Sequence, residues 1–118
     1  GIKVLEVKQI SRSIQRLILK ANVVVDAIFG VGLNREVGSP FKEYIQTMNQ
    51  TKGQVVAVDM PSGLDATTGK IYGCCVKANQ TLTFTYPKIG MYEHLGPSHV
   101  GKIIVIDIGI DNEWKSLI

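Results

Sequence analysis

Residues 55–69 read VVAVDMPSGLDATTG, a run of apolar, mostly β-branched residues that stops at Asp59 and turns at once. Such a run is typical of a buried strand. Proline holds φ at about −65° and glycine permits positive φ, so Pro61 and Gly63 predict a tight turn directly behind the strand. That turn places the hydroxyl of Ser62 close to a carboxylate. The stretch therefore predicts a buried strand that ends at a carboxylate, with a hydroxyl in the turn behind it.

Short apolar runs like this one recur along the chain and alternate with helical patterns. The run at 22–29 is apolar almost throughout, which predicts a strand covered on both faces. The run at 80–86 alternates more, which favours a place nearer the edge of the sheet. Alternation of strands with helices is typical of a parallel sheet with helices on its faces. The predicted strands are residues 2–7, 22–29, 54–59, 80–86 and 102–107.

Helices are predicted between several of these strands. Residues 11–21 carry apolar side chains at i, i+3, i+4 and i+7 behind a capping serine. A second helix begins at Ser39 and Pro40, a capping hydroxyl followed by a proline whose missing N–H costs nothing there. The tail, residues 111–118, predicts a turn of helix with Trp114 as a packing anchor. The buried stripe of the second helix is predicted to be Phe41, Tyr44, Ile45 and Met48.

Composition and charge narrow the class of protein. The 118 residues carry a net charge of +3 with scattered basic residues, which predicts no nucleic-acid surface. No apolar stretch approaches the roughly 20 residues that span a bilayer. Cys74 and Cys75 are adjacent, so a bridge between them is strained and metal-ligand spacing is lacking. We expect a single cytoplasmic α/β domain over residues 1–118, with reduced thiols.

Three of the predicted strands end in aspartate: Asp26, Asp59 and Asp107. In an open parallel sheet, ligands bind in the crevice beyond the carboxyl ends of the strands. A strand-end aspartate also caps the loop behind it through an Asx-turn, and this second reading is favoured for Asp107. For Asp26 and Asp59 both readings stay open. Two carboxylates converging with the Ser62 hydroxyl suit a hard cation or a sugar hydroxyl.

A glycine-containing loop follows the strand at 22–29. Gly30 and Gly32 begin a dinucleotide-binding GxGxxG pattern, but Arg35 stands where the third glycine belongs. The backbone amides of this loop, with Asn34 and Arg35, can hold phosphate or ribose, although a surface role for Arg35 fits equally. Lys88 follows a strand end, so it either reaches the crevice or lies on the surface.

Several segments in this order resemble the YjeF N-terminal domain, the family of NAD(P)H-hydrate epimerases. The resemblance covers about residues 20–110, and VDMPSGLDA followed by TFTYPK is its most specific combination. The segments are VVVDAIFGVGL (23–33), SPF (39–41), VVAVDMPSGLDATTG (55–69), VKANQTLTFTYPKIGM (76–91) and VGKIIVIDIGI (100–110).

The resemblance implies a three-layer α/β/α Rossmann-like sandwich with a mostly parallel sheet. It implies an isomerase that interconverts the R and S epimers of hydrated NADH and NADPH, with a fused or separate dehydratase as its partner. It further implies a potassium ion bound by Asp26 and Ser62, and Asp59 in contact with the substrate. We hypothesise that Asp59 is the catalytic acid/base. The other implied substrate-binding residues are Gly30, Val31, Gly32, Leu33, Asn34, Arg35 and Glu36.

The chain departs from the family in one respect, because it has no glycine-rich GNNGGDG-type loop. In the family that loop lies upstream, grips the phosphates and supplies a further potassium ligand. The chain thus looks like the C-terminal part of the domain, which leaves activity of the chain alone open. The apolar strand at 22–28 then lacks its neighbour and is predicted to pair with another chain, as a homo-oligomer or through a chain that supplies the missing strands.

A second class of function is a non-catalytic scaffold. In eukaryotic mRNA-decapping enhancers this fold serves dimerisation and RNA contact, so scaffolding with RNA or nucleotide binding is the alternative implied by the resemblance. A scaffold has no need of clustered carboxylates. The presence of Asp26, Asp59 and Ser62 therefore favours the enzyme.

Overall fold

The computed structural model describes residues 1–109. The predicted C-terminal turn of helix and the Trp114 anchor lie outside the described residues. No helix within them is long and apolar enough to cross a membrane. The elements are α1 (Arg12–Lys20), β1 (Val23–Asp26), α2 (Phe41–Met48), β2 (Gln54–Val58), β3 (Gln80–Phe84), a 3₁₀ turn (Ile89–Met91), α3 (Gly96–Val100) and β4 (Lys102–Ile106).

The sheet has four strands in the order β1-β2-β3-β4, and every neighbouring pair is parallel. This confirms the predicted α/β class with a parallel sheet. Val24 pairs with Val55, and Thr81 pairs with both Ala57 and Ile103. Since all strands run the same way, their carboxyl ends meet at one edge of the sheet.

The prediction that residues 80–86 lie nearer an edge is wrong, because β3 is an interior strand. The alternation there comes from buried threonines rather than from a solvent face. Thr81 and Thr83 have no exposed surface. The hydroxyl of Thr81 donates to the carbonyl of Val100 at 2.7 Å, and the hydroxyl of Thr83 accepts from Lys88 at 2.7 Å. A polar residue whose hydrogen bonds are met inside the protein sits in a core strand without penalty.

The main core lies on one face of the sheet. Val24 and Val55 form it together with Ile45 and Met48 of α2. The prediction that β1 is covered on both faces is wrong for the described residues: Val23 is 56% and Val25 57% exposed. The helices pack on the face of Val24 because their apolar stripes meet it. The opposite face of β1 has no such partner among residues 1–109.

Two local predictions are also wrong, while one is confirmed. Residues 2–7 form no strand, since no neighbouring strand within the described chain supplies the hydrogen-bond ladder that extended backbone needs. Ser39 does not cap α2; Pro40 occupies the cap position and the Ser39 hydroxyl bonds the Glu43 carboxylate instead. Ser11 does cap α1, accepting from the Ile14 backbone N–H at 3.2 Å.

Candidate functional site

The turn after β2 redirects the chain immediately at the strand end. Asp59 adopts a φ of +74°, and its N–H donates to the carbonyl of Leu82 in β3 at 2.7 Å. Positive φ is unusual for a residue with a side chain and is better tolerated by aspartate than by most residues. The following segment, residues 60–64, is buried throughout. The chain therefore turns into the protein interior rather than out into a surface loop.

Ser62 joins this turn to the end of β1. Its hydroxyl donates to Asp26 Oδ1 at 2.5 Å, and its backbone N–H donates to Asp26 Oδ2 at 2.7 Å. The Ser62 oxygen in turn accepts from the Phe29 N–H at 2.9 Å. Both Asp26 and Ser62 are fully buried. The two aspartate-ended strands are thus tied together at the same edge of the sheet.

Asp26 is a buried carboxylate without a basic partner among residues 1–109. Burial raises the pKa of Asp26, although the hydrogen bonds from Ser62 and from the backbone of Ile28 oppose the rise. No Lys, Arg or His within residues 1–109 makes an ion pair with it. An ionised carboxylate in a dry site is costly unless it is paired or coordinates a metal. Ionised Asp26 therefore favours a bound positive charge nearby.

The atoms around Asp26 fit part of a hard-cation shell. No group of three or more His, Cys, Asp or Glu side chains in the described chain is placed to hold a metal. The donors present are all oxygens: the Asp26 carboxylate, the Ser62 hydroxyl and the Phe29 carbonyl, which lies 3.3 Å from that hydroxyl. Oxygen-only donors suit alkali and alkaline-earth cations rather than zinc. These oxygen donors are of the type that potassium takes, and potassium binding by Asp26 and Ser62 stays a prediction.

Asp59 lies beside the glycine loop. Its Oδ2 accepts from the Val31 N–H at 3.0 Å, and its Oδ1 lies 3.2 Å from Lys88 Nζ. A Cβ at Gly30 would stand 2.7 Å from Oδ2, so only glycine leaves room for this approach. The Asp59 side chain keeps 26% of its surface exposed. It is anchored yet remains open to a ligand at the strand ends.

Residues 28–35 line a cleft of about 390 Å³ next to this carboxylate. Asn34 and Arg35 are exposed there, while Leu33 is half-buried. Glu36 is the exception among the predicted substrate-binding residues, because it does not line the cleft and its carboxylate lies over Gly73. The structure therefore gathers Gly30 to Arg35 at one cleft, sets Gly30 and Val31 against Asp59, and leaves Glu36 aside.

Asp107 and Lys88 resolve the alternatives that the sequence left open. Asp107 Oδ1 accepts from the Gly109 N–H at 2.9 Å, which is the Asx-turn reading. Lys88 belongs to the strand-end region and not to the plain surface, since it pairs with Asp59. Its position directly behind β3 was the only signal for this contact in the sequence.

Sequence reasoning missed the second aspartate of the opening motif. Asp65 accepts from the backbone N–H groups of Thr67 and Thr68 at 2.8 and 2.7 Å and bonds the Tyr72 hydroxyl. These bonds, that of Tyr72 first, lower the pKa of Asp65 to about 2. The sequence DATTG is typical of an Asx-turn, which was the available signal. Asp65 orders the loop behind the site.

Comparisons with known proteins agree on one family for this chain. Residues 1–90 match the family described as YjeF-related protein N-terminus, so the match begins and ends earlier in the chain than the segments at 20–110 that resemble the family. NAD(P)H-hydrate epimerase of Levilactobacillus brevis is 46% identical over 93 residues, 79% of this chain and 43% of that protein. The bifunctional NAD(P)H-hydrate repair enzyme Nnr of Coxiella burnetii is 40% identical over 98 residues, 83% of this chain and 20% of that protein.

The fold is also found in a solved structure. The crystal structure of yeast ynu0 superposes with a TM-score of 0.57 at 25% identity, covering 75% of this chain and 35% of the yeast chain. The chain spans less than half of each of these proteins.

Proposed function

This chain belongs to the YjeF-related protein N-terminus family, and we propose that it carries part of the active site of an NAD(P)H-hydrate epimerase. The enzyme would be an isomerase that interconverts the R and S epimers of hydrated NADH and NADPH. The observation that carries the proposal is Asp59, which bonds the Val31 N–H and pairs with Lys88 yet keeps 26% of its side chain exposed beside the glycine loop. The names of the relatives agree with it.

Asp59 is suited to move a proton in this reaction. The reacting carbon of a hydrated nicotinamide carries a hydroxyl and a ring nitrogen, so its inversion requires a bond to break and re-form with proton transfer. An ionised carboxylate has about four acceptor sites. One site of Asp59 is taken by the Val31 N–H, and Oδ1 faces Lys88. The remaining sites accept a proton from the substrate and return it, which is general acid/base catalysis.

The glycine loop supplies the binding surface of the proposal. Gly30 and Gly32 carry no side chains, so a dinucleotide can approach the backbone closely. Asn34 and Arg35 are exposed at the same cleft, where they can contact ribose or phosphate. We place the reaction in the cytoplasm, since Cys74 and Cys75 are both free thiols. The relative in Coxiella burnetii is named a bifunctional NAD(P)H-hydrate repair enzyme, and we propose that the partner activity is a dehydratase, fused or separate.

The direct test is an epimerisation assay on purified R and S hydrates of NADH and NADPH. It is run on this chain alone and on a form extended upstream by the family's glycine-rich segment, with the molar mass measured by light scattering. We expect the extended form to interconvert the epimers. We expect this chain alone to associate through the open edge of β1, because Val23 and Val25 are exposed beside it. A monodisperse, active monomer of this chain alone contradicts the pairing.

Potassium forms a further part of the proposal, with Asp26 and Ser62 as ligands. A bound cation offsets the cost of the buried Asp26 charge, and binding to the native state stabilises it by RT ln(1 + [L]/Kd). We expect a higher Tm in KCl than in NaCl at equal ionic strength, measured by calorimetry. At 100-fold excess over Kd the gain is about 2.7 kcal/mol. Ser62→Ala should abolish the difference between the salts, and equal Tm values for the unsubstituted chain contradict the site.

The exposed face of β1 also supports the alternative function, a non-catalytic scaffold. An open apolar strand is also what a dimerisation module needs, and such a module has no use for the Asp26–Ser62 pair as an ion site. Stable self-association with no hydrate turnover by the extended form and no preference for potassium would favour a scaffold for dimerisation or RNA and nucleotide binding.

A further inference from the structure

Lys88 is held at the end of β3 by contacts that fix its ammonium group. Nζ donates to the Thr83 hydroxyl at 2.7 Å and to the Phe84 carbonyl at 3.4 Å. Thr83 is fully buried in the interior strand, so its hydroxyl cannot swing away. The Lys88 side chain is itself only 22% exposed. A lysine on the free surface samples many rotamers, whereas this one has lost that freedom.

The fixed ammonium lies 3.2 Å from Asp59 Oδ1. The other oxygen of Asp59 accepts from the Val31 N–H, so the carboxylate is held from two sides by two different loops. The loop of Val31 follows β1, Asp59 follows β2, and Lys88 follows β3. Three strand ends therefore converge on one carboxylate, and the direction in which its unused acceptor sites point depends on all three.

The backbone is strained at two of these strand ends. Asp59 has a φ of +74° and Thr85 a φ of +64°, and neither is a glycine. Strained residues of this kind persist only where the surroundings over-determine them, and they cluster at functional sites. Thr85 lies between β3 and Lys88, whose ammonium returns to bond Thr83 and Phe84 of that strand. One residue with positive φ is thus a member of the Asp59–Lys88 pair, and the other lies three residues before Lys88.

We propose that Lys88 is a positioning residue for Asp59, orienting its carboxylate for proton transfer while Thr83 holds the ammonium in place. This inference rests on the proposed function, in which Asp59 moves the proton. Lys88 acts through Asp59 and does not bind the substrate, so its loss lowers kcat and leaves KM unchanged.

The test uses the form of the chain that turns over hydrated NADPH. Lys88→Met is expected to lower kcat by about 10- to 100-fold, the usual cost of a misplaced catalytic group, with KM unchanged. Lys88→Arg keeps the charge and should recover part of the loss. Thr83→Val should give an intermediate kcat, because it frees the ammonium without removing it. Lys70→Met, an exposed lysine without a role here, is the matched control and should match the unsubstituted chain.

A double-mutant cycle separates positioning from other roles. If Lys88 works through Asp59, adding Lys88→Met to Asp59→Asn lowers kcat no further. Undiminished kcat in Lys88→Met, or an equal loss in both backgrounds, overturns the role of Lys88 and leaves the proposed function standing. A chain that turns over neither hydrate, alone or extended, overturns the proposed function and the role of Lys88 with it.

Discussion

Asp59→Asn is expected to lower epimerase turnover by about 10²- to 10⁴-fold, the usual contribution of a general acid/base. The amide has the shape of the carboxylate but cannot take up the proton. The asparagine side chain has one oxygen, so it can accept either from the Val31 N–H or from Lys88, but not from both. Its NH2 group then faces the other of these two donors. Because the side chain is partly exposed, water relieves that conflict. Asparagine also tolerates the positive φ at this position.

The measurement is kcat for both hydrate epimers, with circular dichroism as the check on folding. Asp107→Asn is the matched control, since Asp107 also follows a strand and accepts a single backbone N–H bond, but lies in an Asx-turn. It should leave turnover unchanged. A folded Asp59→Asn protein with the turnover of the unsubstituted enzyme refutes the catalytic role of Asp59.

Gly63→Ala is expected to be the most destabilising substitution in the turn after β2. Gly63 has a φ of +101°, and a Cβ there would stand 1.9 Å from the carbonyl oxygen of Cys74. The clash is with backbone, which cannot rotate aside as a side chain can. The same turn is held by the Tyr72 N–H, which donates to the Gly63 carbonyl at 2.9 Å. We expect a loss of about 3 kcal/mol or more in the free energy of unfolding, by urea titration.

Gly32→Ala is the control for this stability measurement. Gly32 has nearly the same φ, +102°, but nothing lies within 4 Å of the position of its Cβ. It should cost only the backbone term of about 1–2 kcal/mol. If both variants lose the same stability, the clash with Cys74 is not what requires glycine at 63. If Gly63→Ala yields no soluble protein while Gly32→Ala does, the clash is supported.

The strand ends could be located from sequence because their determinants are local. β2 ends where β-branched residues give way to Asp59, proline and glycine, and each of these acts on its own backbone. β1 was recognisable from its apolar run, although that run continues to Phe29 and the strand itself ends at Asp26. Since parallel strands end at one edge, the meeting of Asp26, Ser62 and the end of β2 followed from the order of the elements.

The local sequence pattern gave wrong predictions where the structure depends on contacts with a distant part of the chain. Residues 2–7 have a strand-like sequence but no adjacent strand among residues 1–109, and backbone N–H groups without a ladder do not form one. Thr81 and Thr83 look like a solvent-facing alternation, yet they are buried because Val100 and Lys88 meet their hydroxyls. In each case the deciding atom belongs to another part of the chain.

By itself the sequence determined the α/β class, the alternation of helices with the strands of a parallel sheet, the carboxylate at the end of β2 and the turn that follows it. Only the tertiary structure decided which side chains surround that carboxylate. Val31 and Lys88 contact Asp59 although both are far from it in sequence. They lie in loops whose positions depend on the register of three strands. Turn chemistry acts between neighbours in the chain, whereas the direction of a carboxylate is set by contacts that exist only after the sheet has formed.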